Sequence, residues 1–293
     1  MFRAVEASPG TEVHFYCSSG GNAGLACATS AIALSRKATI VVPLTTPAHM
    51  IAKLRDLGAD VIQIGANWAA ADRHLREELL VNHDPKSKGV YVPPFDHPDI
   101  WEGAATLVEE LTRQVDAPID GIVCNVGGGG LLCGIMEGLE GLKSRNSWQA
   151  EAPVPRVLAI ETAGADSLYA CVQAGEMVTL PKITSIATSL GATRVAEQAF
   201  KWTQRAGDGL VCSVLSDADA VMGSARFLDD ARIFVEVACG ATIASVYNGS
   251  LRTNLGNGLS DEEWAKKNIV VVVCGGSNIN LKMLEDYKAK YGV

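Results

Sequence analysis

Four consecutive glycines, Gly127, Gly128, Gly129 and Gly130, stand between a short apolar run, Gly121-Ile122-Val123-Cys124, and a stretch over 131–142 with apolar residues at helical spacing. An apolar run this short, bounded by turn residues, reads as a buried strand, and the stretch after the glycines reads as a helix. A strand that hands over to a helix within a few residues is the unit of α/β architecture, so this junction narrows the fold more than any other stretch. It also narrows the chemistry. With no Cβ atoms in the way, several backbone N–H groups converge on one point, with the positive end of the helix dipole behind them. The guest that suits such a loop is an anion, a phosphate above all; the plain alternative is a flexible connection between two elements.

The same alternation runs along the whole chain. Strands are predicted over 12–17, 38–42, 60–64, 89–92, 121–124, 156–161, 209–215 and 268–274. Helices are predicted over 2–7, 25–34, 47–57, 69–82, 98–115, 131–142, 164–174, 235–247 and 281–290, with Asp217 expected to cap another. Strands that alternate with helices imply parallel sheets with right-handed crossovers, and a ligand at the carboxyl ends of the strands. Pro93-Pro94 breaks the pattern and reads as a domain boundary. The expectation is an α/β protein of two lobes with mostly parallel sheets flanked by helices, a smaller lobe over 1–96 and a larger one over 97–293.

Composition removes several function classes. A net charge of −8 argues against a nucleic-acid or anionic-membrane surface. No apolar run approaches membrane-span length, and the first residues lack the basic and apolar regions of a signal peptide. The eight cysteines form no C-x-x-C pair and read as reduced thiols in a cytoplasmic protein. The five histidines do not cluster at the spacing of zinc ligands.

Three glycine-rich loops follow predicted strands: Ser18-Ser19-Gly20-Gly21-Asn22-Ala23-Gly24, the run Gly127 to Gly130, and Gly275-Gly276-Ser277-Asn278. The first offers hydroxyls, an amide and backbone N–H groups at a helix start, which suits a small carboxylate; local capping is the plain alternative. G-x-G-x-x-G spacing is missing around residues 127–134, and Glu161 lies too far on to hold a dinucleotide ribose. No Gly-Lys-Ser/Thr follows the glycines and no G-x-S-x-G is present, which disfavours a nucleoside triphosphatase and a serine hydrolase. A simple phosphate ester remains, with pyridoxal phosphate among the candidates.

Cys17-Ser18-Ser19-Gly20-Gly21-Asn22-Ala23-Gly24 resembles the substrate loop of the pyridoxal-phosphate-dependent serine/threonine dehydratases. Further blocks match in the family's order: 38–43 with Thr45-Thr46-Pro47, Pro93-Pro94-Phe95-Asp96 with Ile100-Trp101-Glu102-Gly103, 126–134, Pro181-Lys182-Ile183-Thr184-Ser185, Ala238-Cys239-Gly240-Ala241 and Cys274-Gly275-Gly276-Ser277-Asn278. They cover nearly the whole chain and look most like the catabolic L-serine dehydratase branch. The resemblance implies the fold-type II, tryptophan-synthase-β-like architecture. Gly127, Gly128, Gly129 and Gly130 would then hold the cofactor phosphate, and Asn22 would bond the ring hydroxyl oxygen. Ser19 and Ala23, with Asn22, would hold the amino-acid substrate, and Cys274 would face the pyridine nitrogen. A monovalent cation, K+ for example, would sit at Gly127, Glu161, Ala165, Leu190 and Ala192. A homodimer is expected. Standing alone, Glu161 would read as a surface or helix-start acid and Cys274 as a structural thiol.

The family's chemistry needs a lysine that holds the cofactor aldehyde, in a Ser-x-Lys-x-Arg block one helix and one strand before the substrate loop. No lysine precedes Lys37, and no such block surrounds it. The sequence is thus expected to be an N-terminally truncated form, with no Schiff-base lysine. It is either part of an active L-serine and L-threonine ammonia-lyase or a non-catalytic form that serves as subunit partner or phosphate-ligand binder. Smaller departures are Gly20, where some relatives carry Ala, and Val237, where Pro is frequent.

Overall fold

A computed structural model of the chain describes residues 1–144 and 153–293. The chain divides into two compact units, Met1–Pro94 and Phe95–Val293.

In the first unit, β1 (Val13–Cys17), β2 (Lys37–Val42), β3 (Asp60–Gln63) and β4 (Lys88–Tyr91) form one parallel sheet in the order β3-β2-β1-β4. Alternate residues of β1 serve opposite faces, as the strand period of two demands. Val13, Phe15 and Cys17 are fully buried against Cys27, Ala28 and Ala31 of the helix Asn22–Ala33. Tyr16 turns the other way, with Val41, toward Ala71 and Leu75. The helix Ala48–Asp56 ends near Gly58, whose φ of 71° supplies the left-handed turn. One prediction needs revising here. The helix expected over 69–82 is α-helical only over Trp68–His74, then widens into a π-helical turn, Leu75–Leu79. The extra residue in that turn brings Leu75, Leu79 and Leu80 together onto the sheet face beside Tyr16 and Tyr91.

In the second unit, β5 (Gly121–Asn125), β6 (Arg156–Thr162), β7 (Leu210–Leu215) and β8 (Ile269–Val271) form a second parallel sheet, ordered β7-β6-β5-β8. The inner strands are buried on both faces, the usual state of a parallel sheet between helices. Ile122, Cys124, Val157 and Ala159 pack with Leu132, Ile135, Leu168 and Ala199 on one side. Val123, Leu158 and Ile160 pack with Ala220, Ala241 and Ala244 on the other. The helix Val237–Tyr247 is buried from Val237 through Ser245 and is accordingly apolar all round.

Several boundaries differ from the sequence reading. β8 stops at Val271 instead of 274, because Gly275 and Gly276, at φ of 75° and 83°, turn the chain away from the sheet. The helix expected from 164 starts at Ser167, after a turn with Gly164 at φ 85°. Ser216, not Asp217, caps the next helix, in a capping box with Asp219. Three helices, Glu197–Ala206, Ser250–Leu255 and Asp261–Trp264, were not predicted.

Candidate functional site

In the first unit the loop after β1 rests on a buried carboxylate. Ser18, fully buried, donates its hydroxyl to Asp72 Oδ1 at 2.6 Å. Tyr91, the last residue of β4, donates to the same oxygen at 2.7 Å, and Arg76 Nε lies 2.8 Å from Oδ2. Asp72 is only 4% exposed, and a carboxylate is tolerated at that depth because each oxygen has donors. Burial first, then the bond to Asp72, push the Tyr91 hydroxyl well above its ordinary range.

Past Ser18 the chain folds tightly on itself. A Cβ on Gly24 would lie 1.8 Å from the Ser19 carbonyl oxygen, and one on Gly20 would lie 2.8 Å from the Thr46 methyl. Gly21 starts the helix Asn22–Ala33, which has no side-chain cap. The N–H groups of its first turn, those of Asn22, Ala23 and Gly24, have no carbonyl to bond within the helix. Ser19 Oγ accepts from the Gly21 N–H at 3.3 Å, which occupies it locally and leaves its proton to donate. The candidates Ser19, Asn22 and Ala23 thus share one loop with a helix dipole behind it.

In the second unit the four glycines follow Asn125 and Val126, the latter bonded through its N–H to Ile160 O at 2.8 Å. Each glycine occupies a different tight place. An added Cβ would lie 3.0 Å from Leu190 Cα at Gly127, 2.1 Å from the Phe95 ring at Gly128, and 2.8 Å from the Phe95 carbonyl oxygen at Gly130. Gly129 has φ of 91°, a conformation side chains avoid, and its Cβ would meet that of Ala199 at 2.7 Å. Trp101 Nε1 donates to the Phe95 carbonyl at 2.9 Å and so fixes Phe95 over the loop. The helix Gly130–Ser144 begins at the loop's end and points its unbonded N–H groups back into it. That helix comes close to Pro98–Gln114 at Gly134 and Gly138, where a Cβ would lie 2.7 Å from Trp101 O and 2.9 Å from Ala105 O.

Cys274 lies beyond the end of β8 and donates its thiol to Asn125 Oδ1 at 3.6 Å, while Asn125 Nδ2 donates to Ala238 O at 3.1 Å. The residue shows surface to solvent, yet the protein around its sulfur is dense. Burial first, then Cys239 and Glu236, push the thiol up to about 11, so it is neutral at physiological pH.

Glu161 is buried in β6, and its two oxygens accept the N–H groups of Leu168 and Tyr169, at 2.9 and 2.7 Å, from the start of the helix Ser167–Ala174. Burial raises its carboxyl to about 8 against the pull of those two N–H groups. The hydroxyl of Ser167, at the start of the same helix, is buried and has no hydrogen-bond partner. Of the other expected cation positions, Gly127 abuts Leu190, Ala165 and Leu190 belong to one apolar cluster, and Ala192 N donates to Leu190 O at 2.8 Å.

Two acids went unread in the sequence. Asp72 lies within a charged helical stretch and looks like one more solvated side chain. Glu236 precedes an apolar helix and looks like a helix-start acid, yet it is 4% exposed. Its carboxylate accepts the Ser189 hydroxyl and, at 2.5 Å, the Asn278 N–H. A separate concavity of about 480 Å³ in the first unit is lined by His14, Tyr16, Lys37, Glu78 and His83 among others. It lies toward the amino ends of β1 and β2, away from the loop that follows β1.

Parallel sheets flanked by helices, with a glycine loop and helix start at a strand's carboxyl end, define an α/β protein built to hold an anionic ligand. The chain belongs to the pyridoxal-phosphate dependent enzyme family, whose model matches residues 2–275. It is 44% identical over 280 residues to the L-serine dehydratase/L-threonine deaminase of Bos taurus, which covers 96% of this chain and 81% of that protein. It is 40% identical to the L-serine dehydratase of Saccharomyces cerevisiae, across 89% of this chain and 76% of that one. Among solved structures, a fungal L-serine ammonia-lyase from Rhizomucor miehei superposes with a TM-score of 0.84 at 36% identity, covering 99% of this chain and 85% of that one.

Proposed function

We propose that this chain serves the dehydration of L-serine and L-threonine to pyruvate or 2-oxobutanoate and ammonia, with pyridoxal 5′-phosphate as cofactor. The observation that carries the reading is the pairing of the glycine loop with a neutral thiol, in the segments that follow β5 and β8, which are hydrogen-bonded neighbours. The residues present fit the cofactor. The loop's own four residues carry no Cβ, Gly129 adopts a φ of 91° that only glycine takes readily, and a 15-residue helix starts where the phosphate would rest. Bound there, pyridoxal phosphate would supply an electron sink for the substrate's α-carbon.

The N–H groups of Gly127, Gly128, Gly129 and Gly130 hold the phosphate. Cys274 offers the ring nitrogen a neutral partner, which does not force protonation as a carboxylate would. Asn22 bonds the ring hydroxyl oxygen, while the Ser19 hydroxyl and the Ala23 N–H take the substrate carboxylate. A monovalent cation, K+ for example, sits by Gly127, Glu161, Ala165, Leu190 and Ala192. The buried carboxylate of Glu161 and the unpartnered Ser167 hydroxyl support that site, since a cation would stabilise the charged carboxylate. The assembly proposed is a homodimer in the cytoplasm. Among the described residues no helix is long and apolar enough to cross a membrane.

A second reading, a non-catalytic cofactor binder, is kept by the position of Lys37. It stands at the amino end of β2, at the far end of that strand from the side where the loop after β1 emerges. The test is to titrate the purified chain with pyridoxal phosphate, add serine and K+, and measure pyruvate. Borohydride reduction and peptide mapping would then locate any lysine joined to the cofactor. Binding that Gly129→Val abolishes is expected, with slow pyruvate formation. Binding that Gly129→Val leaves intact would overturn the assignment of the loop. Bound cofactor with no pyruvate at all would favour the second reading.

A further inference from the structure

Glu236 stands where three loops of the second unit meet. Its carboxylate accepts the hydroxyl of Ser189, in the turn Thr188–Leu190 that backs Gly127 of the phosphate loop. Its other oxygen accepts the Asn278 N–H at 2.5 Å, and its own N–H donates to Gly275 O at 2.8 Å, so it grips both ends of the loop after Cys274. Asn278 Nδ2 also donates to Thr188 Oγ1 at 3.2 Å, which adds a direct strut between the same two segments. Gly276 passes so close that a Cβ there would lie 2.4 Å from the Glu236 carboxyl carbon. The grip is two-sided: one carboxylate oxygen for the turn that carries Leu190, the other for the loop that positions Cys274.

We propose that Glu236 is a positioning residue that couples the cation turn, through Ser189, to the thiol loop, through Asn278, so that cation occupancy sets the position of Cys274. The proposal rests on the cation and cofactor reading above. A cation that draws on the carbonyls of Leu190 and Ala192 holds the turn; Ser189 then holds Glu236, and Glu236 holds the segment from Gly275 to Asn278. Neutral Gln cannot replace it, because a single amide oxygen serves one of the two donors and its NH2 group faces the other. The linkage is reciprocal at equilibrium: a position of the Cys274 loop that the cation favours in turn favours the cation.

The experiment follows the alkylation of Cys274 without cofactor, by intact-mass and peptide analysis, in K+ and in tetramethylammonium at equal ionic strength. In the natural chain K+ should slow alkylation of Cys274 by roughly fivefold or more, the lower end of typical site-to-site coupling. In Glu236→Gln the K+ effect should fall to the small remainder that the Asn278–Thr188 strut carries, whereas cation binding followed by Tl+ competition should persist. Ser189→Ala cuts one arm of the clamp only and should give the same uncoupling, which covers the case in which Glu236→Gln fails to fold. A K+ effect retained in both variants would overturn the role of Glu236 while leaving the cation site standing. No K+ effect and no Tl+ binding in the natural chain would overturn both.

Discussion

Substituting Gly128 by Ala tests how the phosphate loop is held. The added Cβ would lie 2.1 to 2.3 Å from three atoms of the Phe95 ring. Ordinary carbon contacts are about 3.5–4.0 Å, so the ring must retreat by about 1.5 Å or the loop must bow outward. The ring cannot swing away cheaply, because the Phe95 carbonyl is tied to Trp101 Nε1 and its backbone abuts Gly130. Overpacking of this sort costs about 1–3 kcal/mol. For a unit of this size the cost should lower the midpoint of thermal unfolding by about 2–4 °C per kcal/mol. Gly141→Ala, in the helix that leaves the same loop, has nothing within 4 Å of its Cβ among the described residues and is the control. It should stabilise the helix by about 0.5–1 kcal/mol and so raise the midpoint. Differential scanning fluorimetry reads both, and a pyridoxal phosphate titration should show affinity falling roughly tenfold in Gly128→Ala, about 1.4 kcal/mol. In a double-mutant cycle, Phe95→Ala should cancel most of the added cost of Gly128→Ala, because the space the Cβ needs is then open. If Gly128→Ala matches Gly141→Ala in midpoint and leaves cofactor affinity unchanged, the account of the loop is wrong.

Three further outcomes follow from the same geometry. Asp72→Ala should cost about 2–4 kcal/mol in urea unfolding, since the buried hydroxyl of Ser18 and the half-buried hydroxyl of Tyr91 lose their acceptor; Tyr91→Phe, which removes one donor, should cost less. Glu161 is raised from 4.5 to about 8 on folding, so the folded state keeps a proton that the unfolded state has lost between those values. Stability of the cation-free chain should therefore fall as pH rises from about 4.5 to 8 and level off above, by at most about 5 kcal/mol. Added K+ should restore part of the loss, and Glu161→Gln should flatten the pH profile; a profile unchanged by Glu161→Gln would remove this residue as its source. Ser216→Ala, which breaks the capping box with Asp219, should cost about 1 kcal/mol by the same unfolding assay.

Much of the architecture was legible before any coordinates. β2 and β5 fall within a residue of their predicted bounds, because continuous β-branched and apolar runs ended by proline or glycine have few other readings. The glycine run at Gly127 to Gly130 was legible as a loop joining β5 to a helix, since both flanks announce themselves. Where the reading slipped, the cause was tertiary. Residues 272–274 are as apolar as the rest of β8, but the backbone turns at Gly275 and Gly276 to reach Glu236, and the strand ends early. One miss was local: the helix Glu197–Ala206 carries three charged residues, Glu197, Lys201 and Arg205, at i, i+4 and i+8, with Ala199, Phe200 and Trp202 turned inward, and that amphipathic spacing went unread.

The order of residues alone determined the eight strands, most of the helices between them and the places where backbone had to be bare. Those are local properties: propensity, periodicity and the steric freedom of glycine act over a few neighbours. Tertiary structure alone decided which side chains do more than pack. Asp72 meets Ser18 and Tyr91 across sequence separations of 54 and 19, and Glu236 meets Ser189 and Asn278 across 47 and 42. An acid's role depends on which donors the fold brings to it and on how much water is removed, and no pattern of neighbours along the chain records either.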